Sequence, residues 1–421
     1  MKLKKMALLI LIAGGILYGI CTDLAYAGAL YIYEMANTSD VGYAGAGLAA
    51  RAGDAGTVFS NPAGMTRFKK STYLAGVTPL YIDADWDSDQ DTTATGPDKG
   101  VHEFFSGGSF AYIRPVGDKL RLGISAQNYF GLALEWDRKW VGRYEVTKAA
   151  LIAPQLQPTV AYKVFNWLSI GAGAGLTMGY LADEAKVKNL DPNLGDGKLK
   201  YSDTDFAVQG NFGVMIEPSD RTRIGLRYLT ETDLDFEDNV YLSGVEPGIA
   251  DAVKGVGDLD LGMKMPQSLM AGIFHQFNDK WAFLGSVGWD DWSQFSRVHV
   301  KVDGTGVNTV INADFDDTWH VGVGAQYQYT PKWMLTAGFS YDSSMSTGST
   351  RPITLPLGKM YRYGLGFKYR KSDDLTLGGG LSFLWEGDLK VKKAGSPVSG
   401  GVVDGKYENV SITLLSFYVQ W

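Results

Sequence analysis

Residues 319–329 read Trp319-His320-Val321-Gly322-Val323-Gly324-Ala325-Gln326-Tyr327-Gln328-Tyr329. Every second residue, from Trp319 to Tyr329, is apolar or aromatic, and the residues between are His, Gly or Gln. A period of two is that of a β-strand with two unlike faces. The apolar face carries aromatic rings at both ends and aliphatic residues between them. A strand that crosses a bilayer has this arrangement, with its rings at the two interfaces. In lipid, such strands satisfy their backbone groups only by closing into a barrel.

The pattern recurs. Tyr361, Tyr363, Leu365, Phe367 and Tyr369 alternate with Arg362, Gly364, Gly366 and Lys368. Leu120, Leu122, Ile124 and Ala126 alternate with Arg121, Gly123, Ser125 and Gln127, and Trp333 to Tyr341 repeats the theme. Fourteen strand candidates follow, at 72–86, 103–115, 119–130, 151–164, 166–183, 204–217, 221–237, 266–277, 280–302, 310–330, 332–344, 359–370, 374–390 and 406–421. Their connections alternate between short turns, such as Val116-Gly117-Asp118 and Thr330-Pro331, and long polar loops, as near 87–102, 131–150 and 238–265. Short turns on one side and long loops on the other describe an up-and-down outer-membrane barrel with both termini in the periplasm. The chain ends on Leu415, Phe417, Val419 and Trp421, alternating and closing on an aromatic residue, which resembles the signal that barrel-assembly machinery reads. Val410, Ile412 and Leu414 lie on the other parity, so either a bulge interrupts this strand or the lumen is partly apolar there.

Composition agrees. Of 421 residues 53 are Gly, 13% are aromatic and only 20% charged, which excludes disordered and linker-like chains. The net charge of -7 argues against a nucleic-acid partner. Lys2, Lys4 and Lys5, an apolar run from Met6 to Ile20 and Ala25-Tyr26-Ala27 describe a secretory signal peptide at 1–27. Cys21 falls within it, leaving a mature chain without cysteine.

Residues 28–70 precede the first strand and are rich in small residues, from Gly42-Tyr43-Ala44-Gly45 through Gly53-Asp54-Ala55-Gly56 to Asn61-Pro62-Ala63-Gly64-Met65. On its own, Asn61-Pro62 reads as a helix cap, with Asn accepting amide bonds and Pro at the first helical position. Taken with Asn128-Tyr129-Phe130-Gly131-Leu132, Trp140-Val141-Gly142-Arg143-Tyr144 and Pro158-Thr159-Val160-Ala161-Tyr162, the segment resembles the FadL family of outer-membrane transporters for long-chain fatty acids and other hydrophobic compounds. The resemblance runs through the whole mature chain in order. It implies an all-β membrane protein, a 14-stranded antiparallel barrel at 71–421 plugged by an N-terminal hatch at 28–70. It places Asn61, Pro62 and Ala63 in the lumen beside an inward kink at Asn128, Tyr129, Phe130 and Gly131, which opens a gap toward the membrane. By its own chemistry Gly131 fits either a strand break or an ordinary loop entry. The family also places a basic residue near the outer end of the fifth strand against the ligand carboxylate, where Lys186 and Lys188 stand nearest. The family's Asp-Arg pair near 357–362 is missing, replaced by Leu357-Gly358-Lys359-Met360-Tyr361-Arg362.

A sixteen-carbon acyl chain gains about 12 kcal/mol on leaving water, at ~0.8 kcal/mol for each of its roughly 15 methylene and methyl groups. A dry groove is therefore expected, and Leu132, Leu134, Trp136, Trp140, Val141, Leu151 and Ile152 are its candidates, the alternative being loop self-packing. The expected function is passive uptake with lateral exit at the third strand, of fatty acids or of aromatic hydrocarbons. A general porin or a structural surface barrel is the other class. Asp83, Asp85, Asp87 and Asp89 alternate at an outer rim and fit either a divalent cation or a solvated strand end. His102, His275, His299 and His320 share no metal spacing, and Gly45-Ala46-Gly47-Leu48-Ala49-Ala50 follows no strand, so no metal, cofactor or enzyme activity is expected. Such a barrel would stand as a monomer among outer-membrane lipid and lipopolysaccharide of a Gram-negative bacterium.

Overall fold

In the computed structural model, which describes residues 30–191, 193–253, 257–396 and 400–421, the chain closes a single antiparallel barrel around its own N-terminal segment. The barrel strands are β1 (Thr72–Ser88), β2 (Val101–Val116), β3 (Leu120–Glu135), β4 (Lys148–Phe165) and β5 (Leu168–Val187). Next come β6 (Gly197–Ser219), β7 (Thr222–Leu229), β8 (Ser268–Gln276), β9 (Trp281–Asp290) and β10 (Thr318–Gln328). Then follow β11 (Trp333–Asp342), β12 (Met360–Arg370), β13 (Thr376–Ser396) and β14 (Gly401–Gln420). Each pairs with the next, and β14 returns to β1 from Leu74↔Gln420 to Ser88↔Gly405, so the fourteen have no free edge. The expected signal peptide at 1–27 lies outside the described residues.

Alternation sorts the side chains as expected. Trp319, Val321 and Val323 face outward, while His320 between them is buried. Two rings of aromatics border this apolar band. Tyr73 stacks on Trp421 and Tyr112 at the short-turn end, and Tyr361 meets Tyr341 and Trp385 at the other. The last strand settles the parity question of Val410, Ile412 and Leu414. Its register with β1 is constant from Ser411 to Gln420, the one shift lying between Glu408 and Ser411, and Ile412 and Leu414 are buried in the lumen. The bore is therefore partly apolar.

Three of the expected strands are broken. The runs at 221–237, 280–302 and 310–330 each contain a barrel strand and an outer piece. Those outer pieces, Thr232–Asp238, Arg297–Val302 and Val307–Asn312, join Leu259–Met265 in a separate four-stranded sheet. The break after β9 is a helical turn, Trp292–Phe295, whose two aromatic rings turn into the core. Periodicity continues across such a break because both pieces are strands, so the sequence alone joins them.

Inside the bore, residues 30–68 form five short helical turns, Tyr33–Ala36, Thr38–Tyr43, Leu48–Arg51, Thr57–Ser60 and Pro62–Arg67. Glycines of the wall let this backbone come close. A Cβ at Gly225 would lie 1.9 Å from the Ala49 carbonyl, and one at Gly338 1.8 Å from that of Tyr43. At Gly171 a Cβ would meet the Ala63 nitrogen at 2.6 Å. Polar wall residues then take the hatch's orphan carbonyls: Asn211 that of Phe59, Gln157 that of Val58, Thr336 that of Gly42 and Ser340 that of Ala44.

Candidate ligand path

The third strand carries the geometric departure. Between Asn128↔Pro154 and Gly131↔Ile152 the ladder with β4 gains one residue on β3, a bulge at which Gly131 has φ +131°. A Cβ there would lie 2.3 Å from the Leu151 carbonyl, so this position needs glycine. The extra residue turns both Tyr129 and Phe130 inward, and both are buried. On the other side, the ladder between β2 and β3 ends at Ser109↔Gln127 among the described residues. Beyond it, 101–108 and 128–135 are not zipped together. Strand pairing is thus interrupted in the wall.

The start of the hatch fills this interruption. Tyr31 forms a β-bridge with Phe130, the Ile32 amide donates to the Tyr129 carbonyl at 3.0 Å, and the Gly131 amide donates to the Leu30 carbonyl at 3.1 Å. Around the bridge the rings close up: Tyr31 stacks on Tyr33 and Tyr129 (centroids 5.4 and 5.6 Å), and Phe59 lies 4.5 Å from Tyr129. Trp292 covers Tyr31 at 5.2 Å.

Asn61 is both a cap and a tether. Its Oδ1 accepts from the Ala63 amide, opening the turn Pro62–Arg67, while its Nδ2 donates to the carbonyls of Ala49 (2.6 Å) and Val214 on β6 (3.1 Å). Pro62 and Ala63 lie against Gly171.

Above the bulge, Leu132, Leu134, Trp136, Trp140, Val141 and Leu151 are buried in one apolar cluster with Tyr31, Tyr129 and Phe130. The two indoles stack at 5.7 Å. Trp140 also meets Trp86 of β1, and Trp136 donates to the Tyr407 hydroxyl of β14. Loop and wall therefore form a common surface. Ile152 stands half-buried on the opposite parity of β4 from Leu151 and Ala153. Lys186 lies at the outer end of β5, in register with Lys198, and Lys188 is exposed beyond that strand.

Charge holds the hatch from below. Arg51 reaches Asp40 at 2.6 Å and Asp54 at 2.5 Å, and Lys368 of β12 reaches Asp54 at 3.0 Å. Burial pushes the Asp40 carboxyl up to about 6, despite Arg51. Burial acts the same way on Asp54, but Arg51 and Lys368 together hold it well below the usual carboxylate range. Glu34 pairs with Arg362 of β12 at 2.6 Å.

Three of the four alternating rim aspartates are partnered by basic side chains: Asp83 and Asp85 face His102, and Asp87 faces Lys406. A row of Ser286, His320 and Asp342, at 3.1 and 2.8 Å, has the order of a nucleophilic triad. Arg362 binds the same Asp342 at 2.6 Å, and Ser286 lies mid-strand with its neighbours paired to β8 and β10. No amide pair is thereby left at Ser286 for an oxyanion, so the row reads as wall structure. Sequence reasoning missed Tyr31, Tyr33, Phe59, Arg227 and Trp292. The aromatic density of Tyr31-Ile32-Tyr33 and the inward parity of Arg227 among Arg223 and Gly225 were the available signals.

A family model described as outer membrane protein transport protein (OMPP1/FadL/TodX) matches residues 19–418. The chain belongs to this family. Its FadL-type relatives include the "Long-chain fatty acid transport protein" of Escherichia coli O6:H1, 24% identical over 83% of this chain and 85% of that protein. The "Outer membrane protein P1" of Haemophilus influenzae is 28% identical over 86% of each. Among solved structures, a Pseudomonas aeruginosa FadL homologue superposes with TM-score 0.81 at 21% identity, covering 91% of this chain and 98% of that one. The toluene transporter TodX of P. putida superposes at 0.64 and 18% identity, covering 87% and 93%. FadL-family members are outer-membrane transporters or channels for hydrophobic compounds, and this chain is an outer-membrane barrel of a Gram-negative bacterium.

Proposed function

We propose that this barrel takes up long-chain fatty acids or related hydrophobic compounds without an energy source, releasing them sideways into the membrane at β3. One observation carries the reading. A single apolar cluster runs from Trp136 and Trp140 to Tyr129 and Phe130, and meets the wall where β2 and β3 part. Asn61, Pro62, Ala63 and the bulge Asn128–Gly131 form the gate, and Leu132, Leu134, Trp136, Trp140, Leu151 and Ile152 the groove, with Lys186 and Lys188 at its outer rim. The segment Leu30–Ile32 leaves the bulge when ligand arrives. The gain of about 12 kcal/mol for a sixteen-carbon chain in a dry path matches that of lipid, so the ligand moves down its own gradient. Residues 1–27 serve as the secretory signal, and the mature protein acts as a monomer among lipid and lipopolysaccharide, placed by the assembly machinery.

Aromatic hydrocarbons are a second reading, favoured by the rings of Tyr31, Tyr129, Phe130 and Trp292 around the gate. Uptake of labelled palmitate and toluene by cells with and without the protein tests both. Equal uptake of both compounds in the two strains would end the proposal.

A further inference from the structure

Arg227 lies on the inner face of β7 and is among the largest fully buried side chains. None of its three guanidinium nitrogens has a hydrogen-bond partner among the described residues. Its contacts are rings, with the Phe59 centroid at 4.3 Å and that of Tyr33 at 5.5 Å. Three other arginines of the bore are matched. Arg51 has Asp40 and Asp54, Arg362 has Glu34 and Asp342, and Arg223 donates to the carbonyls of Ala50 and Arg51. Asp290 of β9 lies close enough to act on Arg227 electrostatically, but its carboxylate accepts from the Tyr33 hydroxyl at 2.7 Å and makes no direct hydrogen bond or ion pair with the guanidinium.

A second orphan donor stands nearby. Trp292, packed on Tyr31, is fully buried, and its Nε1 has no acceptor among the described residues. The surroundings of the Tyr31–Tyr33 stack thus hold surplus donors. A buried guanidinium with no directly bonded acceptor is unfavourable by itself. The group that answers it is acceptor-only and negative, and a carboxylate fits its planar fork with two parallel bonds. Arg227 has rings rather than a second cation against it, which suits a monoanion better than a phosphate.

We propose that Arg227 is a carboxylate station behind the gate. An apolar monocarboxylate reaching the bulge places its head group on the Arg227 guanidinium and its chain along Tyr129 and Phe130, once Leu30–Ala36 has moved aside. This rests on the uptake reading above and narrows its cargo to acids over neutral hydrocarbons.

The test compares binding of palmitate, methyl palmitate and toluene to the purified full barrel in neutral detergent, for the wild type, Arg227→Lys and Arg227→Met. The expected result is an acid-over-ester preference of about tenfold or more in the wild type, as a charge-assisted pair would give. Arg227→Met abolishes that preference while ester binding persists, and Arg227→Lys retains part of it. A folded Arg227→Met barrel with an unchanged acid-to-ester ratio overturns the proposal, because a purely structural arginine would not set that ratio. Should Arg227→Met fail to fold, wild-type protein is photolabelled with palmitate bearing a diazirine beside its carboxyl. Labels on β7 and residues 57–60 support the station, and labels confined to the outer loops refute it. If the wild type binds none of the three compounds, the uptake reading itself fails, which is a different outcome.

Discussion

Asp54 is the residue on which the hatch's charge network turns, since it joins Arg51 of its own segment to Lys368 of the wall. Asp54→Asn leaves Lys368 without that partner in a buried site, and removing one member of such a pair costs about 3–5 kcal/mol. The hatch should loosen while the barrel stays intact, read as faster labelling of a Ser60→Cys reporter with unchanged heat-modifiable mobility. Acid works on the two carboxylates in opposite senses. Asp40, raised to about 6, binds its proton more tightly when docked, so its contribution improves as pH falls from 7 through 6 toward the unfolded value of about 4. Asp54, held low, contributes above that unfolded value and loses its contribution only in stronger acid. The Ser60→Cys reporter should therefore be labelled no faster at about pH 5 than at about pH 7.5, and faster only well below pH 4. Faster labelling at pH 5 would refute this assignment. The sequence held both aspartates and Arg51 within one short segment, but Lys368 lies over three hundred residues away, and no periodicity links them.

At the scale of elements, the glycine-lined faces of β5, β7 and β11 are what admit the hatch backbone. Gly225→Val puts a branched side chain where the Ala49 carbonyl sits, 1.9 Å from the new Cβ. That variant should displace the hatch and raise single-channel conductance in planar bilayers, whereas an unchanged conductance would mean that the hatch docks elsewhere. The bulge is tested separately. Gly131→Val combines a positive φ with a clash on the Leu151 carbonyl, so it should flatten β3, lower stability by about 1–3 kcal/mol, and cut uptake at least about tenfold in the barrel that still folds. Period-two alternation made the barrel strands readable, including the inward turn of His320. It did not reveal that three strands break into an outer sheet. Nor did it give the extra residue in β3, because a bulge is defined against the partner strand and leaves no mark in one strand's own alternation. The apolar cluster proposed as the groove was legible as a set of large apolar residues after β3. Ile152 stands on the other parity of β4 from Leu151, because a run of neighbouring apolar residues does not say which parity faces the bore.

For the whole molecule, the central claim is that one segment stands between a dry interior and the membrane, and that cargo passes only when it moves. Tyr31 and Phe130 are bridge partners, and such partners lie about 4.5–5.5 Å apart at Cα, within reach of a disulfide. Cys21, the chain's one cysteine, falls in the expected signal, so a Tyr31→Cys/Phe130→Cys pair would be alone in the mature protein. The decisive measurement is palmitate uptake by cells carrying this double variant, first oxidised and then reduced, with the extent of crosslinking quantified. The account predicts uptake near background while the segment is locked to β3 and recovery on reduction. Full uptake through a completely crosslinked barrel would contradict it.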